Sequence, residues 1–370
     1  MSRKKKIAII GSRGYPVVYS GFETLIKELV ERINDKYEIT VYCHKHLFID
    51  KPSRFNNVNL VYISTSKRKN LAQLIHSFKS FIHSTFIKKH DLIFAVNSAN
   101  GFFGLIPKIR GIPTVINVDG IEWKRPKWSL LGKTFFYFSS MASTLFYTRI
   151  VTDAKEMFKL YQEKFNTESN VIEYGANINK NTNSDLIKKF NLKANNYYII
   201  VGRLIPDNNS KEIISGFIAS NSNKKLVIVG DVPYKDSYAS SIKSIKDSRL
   251  VFLGYIKSRQ TLDSLVHNSF AYFHGHEFGG TNPTLVEALS NNAKILAIDT
   301  VFSREVLKNG EYGLFFKKNN DSIKTLIQEI ENDNSKIASF EGNGVKRINE
   351  KYNWRRISQL YRQTFEELLI

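Results

Sequence analysis
His-Gly-His-Glu-Phe-Gly-Gly-Thr-Asn-Pro-Thr-Leu-Val-Glu-Ala-Leu-Ser, residues 274–290, is the stretch that decides how the rest of the chain reads. It follows an apolar run, Phe270 to Phe273, that reads as the end of a strand. Gly279 and Gly280 then mark a tight turn. Asn282 is a good helix N-cap, and Pro283 suits the first helical position, where a missing N–H costs nothing. Leu285, Val286 and Leu289 continue at helical spacing. Strand, glycine loop and capped helix together aim backbone N–H groups and a positive dipole end at whatever fills the loop. A phosphate is the expected occupant. Glu287 sits one turn into that helix, where a carboxylate can accept hydrogen bonds from sugar hydroxyls.

The same architecture recurs on either side. Ile7–Ile10 reads as a buried parallel strand and Gly-Ser-Arg-Gly-Tyr-Pro, residues 11–16, as the loop after it. Ser20-Gly-Phe-Glu23 has the form of a capping box, and Leu25, Ile26, Leu29, Val30 and Ile33 give the following helix an apolar face. With a second strand at Glu38–Tyr42, this is the opening of a doubly wound α/β domain, whose ligands sit at the carboxyl ends of the strands. Further strands are expected at Asp91–Val96, Thr114–Val118, Ile150–Thr152 and Val171–Tyr174. After the polar run Asn177–Asn183, read as a linker, come Tyr197–Val201, Leu226–Val229 and Leu250–Leu253, each ending in glycine. Leu71–Lys89 is helical by periodicity. Its apolar stripe with flanking lysines fits an anionic membrane surface or an ordinary buried helix.

A chain of 370 residues suits two domains, and 42% hydrophobic residues is ordinary for a soluble globular protein. One cysteine, Cys43, excludes a disulfide framework and fits a reducing compartment. The apolar run after the basic N-terminus is too short for a signal peptide, and Trp128–Tyr147 is too polar for a membrane span. The net charge of +20 is concentrated in the first half, where residues 1–178 carry 27 Lys/Arg against 14 Asp/Glu. Such an excess attracts anionic partners such as nucleic acid, anionic lipid or phosphorylated substrates, or is simply a solvated basic surface. A dehydrogenase fingerprint is missing, since Gly11 and Gly14 do not meet Gly-x-Gly-x-x-Gly spacing. Gly132-Lys133-Thr134 lacks the earlier glycine of a P-loop.

Glu-Phe-Gly-Gly-Thr-Asn-Pro-Thr-Leu-Val-Glu-Ala-Leu resembles the donor-binding motif of family 4 glycosyltransferases, retaining enzymes of the GT-B fold. More narrowly, it is similar to the bacterial subgroup that includes rhamnosyltransferases of capsule and exopolysaccharide synthesis. The resemblance covers essentially the whole chain. It implies an α/β, GT-B fold of two Rossmann-like doubly wound domains facing across a cleft. Residues 1–176 would form the acceptor-binding domain, 177–351 the nucleotide-sugar-binding domain, and 352–370 a terminal helix crossing back to the first. The broad family places two glutamates eight positions apart. Eight before Glu287 lies Gly279, so Glu277, two residues earlier, is the carboxylate available. Arg203, in Gly202-Arg203-Leu204, matches the family's diphosphate arginine, whose fork holds two phosphate oxygens at once. The family's lysine five residues on is replaced by Asn208, which leaves Lys211, or Arg13 reaching across the cleft, to supply the charge.

The implied reaction moves a hexose, L-rhamnose from dTDP-rhamnose first among candidates, to a saccharide acceptor, lipid-linked on a polyprenyl diphosphate. The enzyme would be cytoplasmic and peripheral at the inner face of the membrane, on anionic lipid, with no nucleic acid as partner. Asp119, Arg203 and Glu277 are the candidate catalytic residues. Gly14, Gly21, Lys211, Gly279, Gly280, Thr281, Asn282 and Glu287 join Arg203 in holding the donor. Arg13, Glu122, Lys124 and Arg125 are assigned to the acceptor. No Asp-x-Asp pair is present to hold a divalent ion, so no cofactor or metal is expected. His274 and His276, alternate residues at a strand end with no further ligands nearby, read as structural. Alternatives are a glycosyltransferase using a UDP- or GDP-sugar, and a GT-B nucleotide-sugar epimerase, which would need no acceptor.

Overall fold
The computed structural model describes residues 3–16, 21–65, 69–179, 183–232 and 235–369, with the side chains of 69–71 left aside. The chain forms two compact units: residues Met1–Tyr174 with Trp354–Ile370, and Gly175–Asn353.

The first unit is built on a sheet of β1 (Lys6–Ile10), β2 (Glu38–His44), β3 (Arg54–Phe55), β4 (Val58–Ile63), β5 (Leu92–Val96), β6 (Thr114–Val118), β7 (Arg149–Thr152) and β8 (Asn170–Val171). Its order is β3-β4-β2-β1-β5-β6-β7-β8, parallel except for the β3–β4 pair. Strands such as Lys-Ile-Ala-Ile-Ile and Leu-Ile-Phe-Ala-Val are almost wholly apolar because helices cover both faces of a parallel sheet. Helices α1 (Gly21–Ile33), α2 (Lys69–Ile82), α3 (Leu105–Ile109) and α4 (Leu130–Phe146) belong to this unit. The terminal helix, Trp354–Leu368, packs here too. It buries Trp354, Ile357, Tyr361 and Phe365 in the core with α1 and β5, and Asn117 Nδ2 donates to Tyr361 Oη at 2.7 Å.

The capping box expected before α1 lies partly outside the described residues, because Ser20 does. Glu23 accepts the backbone N–H of Arg13 at 2.7 Å, so its carboxylate ties the helix to the loop after β1. The expected helix 71–89 is α2 followed by a wider π turn, His83–Ile87, with Lys88 N–H closing on His83 O at 2.9 Å. His83 Nδ1 meets Tyr42 Oη there at 2.9 Å.

The second unit carries β9 (Tyr197–Val201), β10 (Lys225–Val229), β11 (Leu250–Gly254), β12 (Ala271–His274), β13 (Ile295–Ile298) and β14 (Leu314–Phe316). All pairs are parallel in the order β11-β10-β9-β12-β13-β14. Strand order reverses between β9 and β12, so the crevice in which doubly wound sheets bind ligands opens between the loops after these two strands. The polar run read as a linker is anchored at its start to this unit: Ala176 N–H donates to Tyr352 O at 2.7 Å, and Asn179 Nδ2 to Asp263 Oδ2 at 2.7 Å.

Candidate functional site
In the second unit, both loops at the switch point are the ones singled out by sequence. Gly202-Arg203 leaves β9 and Gly275–Asn282 leaves β12. They are stitched together by two asparagines. Asn208 Nδ2 donates to Arg203 O at 2.8 Å, and its Oδ1 meets His276 Nδ1 at 2.8 Å. Asn209 Nδ2 donates to Gly275 O at 2.8 Å, and Glu277 N–H to Asp207 O at 3.0 Å. The approach is so close that a Cβ on Gly275 would lie 2.2 Å from Asn208 O. Arg203 itself is exposed at the rim of this loop pair, and Lys211 is exposed on the second residue of the helix that follows.

Gly279, at φ +112°, takes a turn that side chains rarely adopt, and Gly280 and Thr281 are buried behind it. Asn282 caps the Pro283–Ser290 helix, its Oδ1 accepting the Thr284 N–H at 2.9 Å and the Thr284 hydroxyl at 2.7 Å. Strand, glycine turn and capped helix are thus present as read.

Glu287 lines a small depression with Val201, Tyr272, Thr284 and Arg259. Burial pushes its carboxyl above the usual carboxylate range, and the Arg259 guanidinium, 3.0 Å away, works against that. Arg259 also reaches Asp263 at 2.9 Å, and Asp263 Oδ1 accepts from Asn291 Nδ2 at 2.9 Å. The glutamate's carboxylate is therefore held by a network that sequence reading passed over. The available signal was the Ser258 N-cap before Arg259 with Asp263 four residues on, a pattern common enough to be unremarked. Glu277 is gripped by Lys318 at 2.6 Å and accepts from Asn209 Nδ2 at 3.3 Å. Lys318, just past β14, carries no local motif. His274 is buried and driven down to a pKa of about 3 by burial, with His276 adding to the effect. Among the described residues no group of three or more His, Cys, Asp or Glu is placed to hold a metal ion.

In the first unit, Asp119 follows β6 and accepts from Tyr174 Oη at 3.4 Å. Burial raises its pKa to about 7, the neighbouring Glu122 adds to the rise, and Arg125 opposes it. Glu122 and Arg125, both assigned to an acceptor, are buried and bound to each other at 2.5 Å. Glu122 also accepts from Trp128 Nε1 at 2.6 Å and lies 3.0 Å from Lys127. Burial would raise Glu122, but Arg125, Lys127 and the Trp128 hydrogen bond outweigh it and hold it below its ordinary value. The pair organises the loop that carries Asp119, while Lys124 points to solvent. Arg13 is exposed, and Gly21 opens α1. Gly14, at φ +133°, packs so tightly on β2 that a Cβ would lie 2.8 Å from Cys43 Sγ, which is reason enough for glycine there.

Residues 182–347 match the family model described as Glycosyl transferases group 1, and residues 4–177 match a Domain of unknown function (DUF1972). An uncharacterised glycosyltransferase of Methanocaldococcus jannaschii is 24% identical over 64% of this chain and 63% of its own length. The alpha-monoglucosyldiacylglycerol synthase of Acholeplasma laidlawii is 30% identical over 36% of this chain and 34% of its own. The chain thus spans less than two thirds of the length of these curated relatives. Among solved structures, Anabaena HepE in complex with UDP superposes with a TM-score of 0.78 over 98% of this chain and 100% of that one, at 15% identity. Sucrose-phosphate synthase from Thermosynechococcus elongatus does so with a TM-score of 0.82 over the same shares, also at 15% identity. Residues 182–347 thus resemble the Glycosyl transferases group 1 family, and the fold is GT-B.

Proposed function
We propose that the protein is a retaining glycosyltransferase that moves a hexose from a nucleotide sugar to a saccharide acceptor. L-rhamnose from dTDP-rhamnose is the favoured donor, and surface polysaccharide synthesis the process served. The observation that carries this reading is the pair of loops at the β9/β12 switch point. Arg203 stands on one, and the other turns through Gly279 into a capped helix bearing the half-buried Glu287. On this reading Arg203, Lys211 and the main chain of residues 279–282 take the diphosphate charge that develops as the glycosidic bond breaks. Glu287 accepts from ribose or deoxyribose hydroxyls, and Glu277, steadied by Lys318, from hydroxyls of the sugar. The leaving diphosphate itself takes up the acceptor proton with no metal required, and Asp119 is the first unit's candidate catalytic carboxylate.

A UDP-hexose is the second reading for the donor, favoured by the similar HepE structures solved in complex with UDP and with UDP-glucose. A lipid-linked acceptor at the inner membrane face accords with the basic first unit, and one relative is named for synthesis of a glycolipid. Among the described residues no helix is long and apolar enough to cross a membrane. Thermal shifts against dTDP-, UDP- and GDP-sugars test the donor, since a ligand bound to the folded state raises its melting point by mass action. Arg203→Ala and Glu287→Ala are each expected to lower turnover at least about tenfold, the loss of one charge-assisted hydrogen bond. Wild-type turnover in both variants would remove the site assignment.

A further inference from the structure
Helix α4 is amphipathic the wrong way round for a helix facing water. It buries Phe136, Ser139, Ser140, Ala142 and Ser143, with Ser139 and Ser143 against the 3-10 segment Ser98–Gly104, while Leu130, Leu131, Phe138, Met141 and Leu145 are exposed. Leu130 and Leu131 are 80% and 83% accessible. Positions 131, 138, 141 and 145 fall on one face by helical spacing. The buried side is a committed contact: Ser139 Oγ donates to Ser98 O at 2.7 Å, and a Cβ on Gly101 would lie 1.7 Å from Ser139 O. The helix cannot roll to hide its leucines without breaking that approach.

The apolar surface continues past α4. Phe102 is exposed and meets Phe135 of α4 at 6.0 Å between ring centroids. On α3, Leu105 and Ile109 are exposed, and Lys108 Nζ donates to Leu145 O at 2.7 Å, joining the two helices. Arg110, just beyond α3, lies over the exposed Phe86 at 5.8 Å, which carries the surface to the end of α2. The stretch that builds this surface is mostly one-signed: residues 69–149 hold 11 Lys/Arg and three Asp/Glu, and of the cations Lys88, Lys89, Lys108 and Arg110 are exposed. Those three acids face inward. Asp91 accepts from Lys6 N–H, Glu122 is bound by Arg125, and Asp119 accepts from Tyr174.

We infer that α4, α3 and the Ser98–Gly104 segment form a docking face for an anionic lipid bilayer, with α4 lying in the interface. A helix of 17 residues is about 25 Å long, too short to span comfortably but suited to lying flat with one side among acyl chains. Cations beside an apolar stripe match lipid headgroups carrying negative charge. A second copy of the chain fits less well, because a twofold contact through this face would set two cation-rich rims against each other. The inference rests on the membrane-surface part of the proposed function and moves the contact from the helix expected at 71–89 to α4.

The test is flotation of the full chain with vesicles of phosphatidylcholine, alone or mixed equally with phosphatidylglycerol. The wild type is expected to float with the anionic vesicles at low salt, less at high salt, and weakly with the neutral ones. Leu130→Ser/Leu131→Ser should lower binding at least about tenfold through lost apolar burial, with an unchanged melting point because both side chains are exposed. Donor thermal shift should persist in that variant. Wild-type binding in the double variant would overturn this face while leaving the membrane reading standing. No binding by the wild type at low salt would overturn both. A solution dimer that dissociates on the same substitutions would assign the face to a second copy instead.

Discussion

Asp119→Asn should make the protein more stable and less active, and the gain in stability should depend on pH. In the fold Asp119 titrates near pH 7 because burial and Glu122 disfavour its charge, whereas its ordinary value is 3.8. Between those values the folded chain holds a proton that the unfolded chain has lost, so stability falls as pH rises through that window. A rise of about three units corresponds to about 4 kcal/mol once pH exceeds 7, at about 1.4 kcal/mol per unit. Asp119 keeps some contact with water, so a cost of roughly 1–3 kcal/mol is the working figure. Asparagine keeps an acceptor for Tyr174 Oη and carries no charge. Differential scanning fluorimetry should therefore place the variant roughly 2–10 °C above wild type at about pH 8.5, with a gap about a third as large at about pH 5. Turnover should fall at least about tenfold. In the wild type, kcat/KM should rise about tenfold from pH 6 to pH 8 as the carboxylate ionises. An Asp119→Asn protein that melts at or below wild type at high pH would refute the buried-charge argument. A variant of full activity would refute the catalytic assignment.

Arg259→Met removes the cation that opposes the rise of the Glu287 carboxyl, so that pKa should climb further. Donor affinity measured by calorimetry at neutral pH should drop about tenfold and recover in part as pH is raised, whereas a merely structural role would give a pH-independent loss. Burial holds the stacked pair His44 and His76 down at about 4 and about 3. The unfolded chain then binds more protons below pH 6.5, and stability should be lost as pH falls from there toward 4. The slope is at most about 1.4 kcal/mol per pH unit for each ring. His76→Phe should flatten that slope in a melting-temperature series, and an unchanged slope would exclude this pair as its source.

Much of the fold was legible because a parallel sheet buried on both faces writes itself as short apolar runs, several of them followed by glycine. Gly202, Gly230 and Gly254 all mark strand ends in the second unit. Helix boundaries were less legible where tertiary contacts decide them, as at His83–Ile87, where the turn widens beside Tyr42. At the site, the loop of residues 275–282 could be read from glycine and capping chemistry alone, which are local. The partners of its carboxylates could not. Arg259 reaches Glu287 from 28 positions away and Lys318 reaches Glu277 from 41, and neither spacing leaves a trace in composition or periodicity. The face of α4 was hidden for the opposite reason. Sequence alone marked Trp128–Tyr147 only as too polar for a membrane span, and it is the close approach of Gly101 to Ser139 that puts the serines inside and leaves the leucines exposed.

Asn208 stands where the resemblance implies a lysine, and the structure gives a physical reason why lysine is not a simple replacement here. Nδ2 of Asn208 donates to the carbonyl of Arg203 while Oδ1 faces His276 Nδ1. An amide oxygen only accepts, so His276 must carry its proton on Nδ1. A lysine offers three donors and no acceptor. It would leave that ring N–H without its partner and loosen the loop after β9 from the loop after β12. The asparagine thus exchanges a mobile cation for a fixed geometry between the two loops of the switch point. Lys318 brings a positive charge to Glu277 from the far side of the sheet order, and Arg203 has its own carbonyl pinned by Asn208. On the proposed reading, diphosphate charge then falls on Arg203, Lys211 and the main chain of residues 279–282, and the main-chain donors need no rearrangement as charge develops.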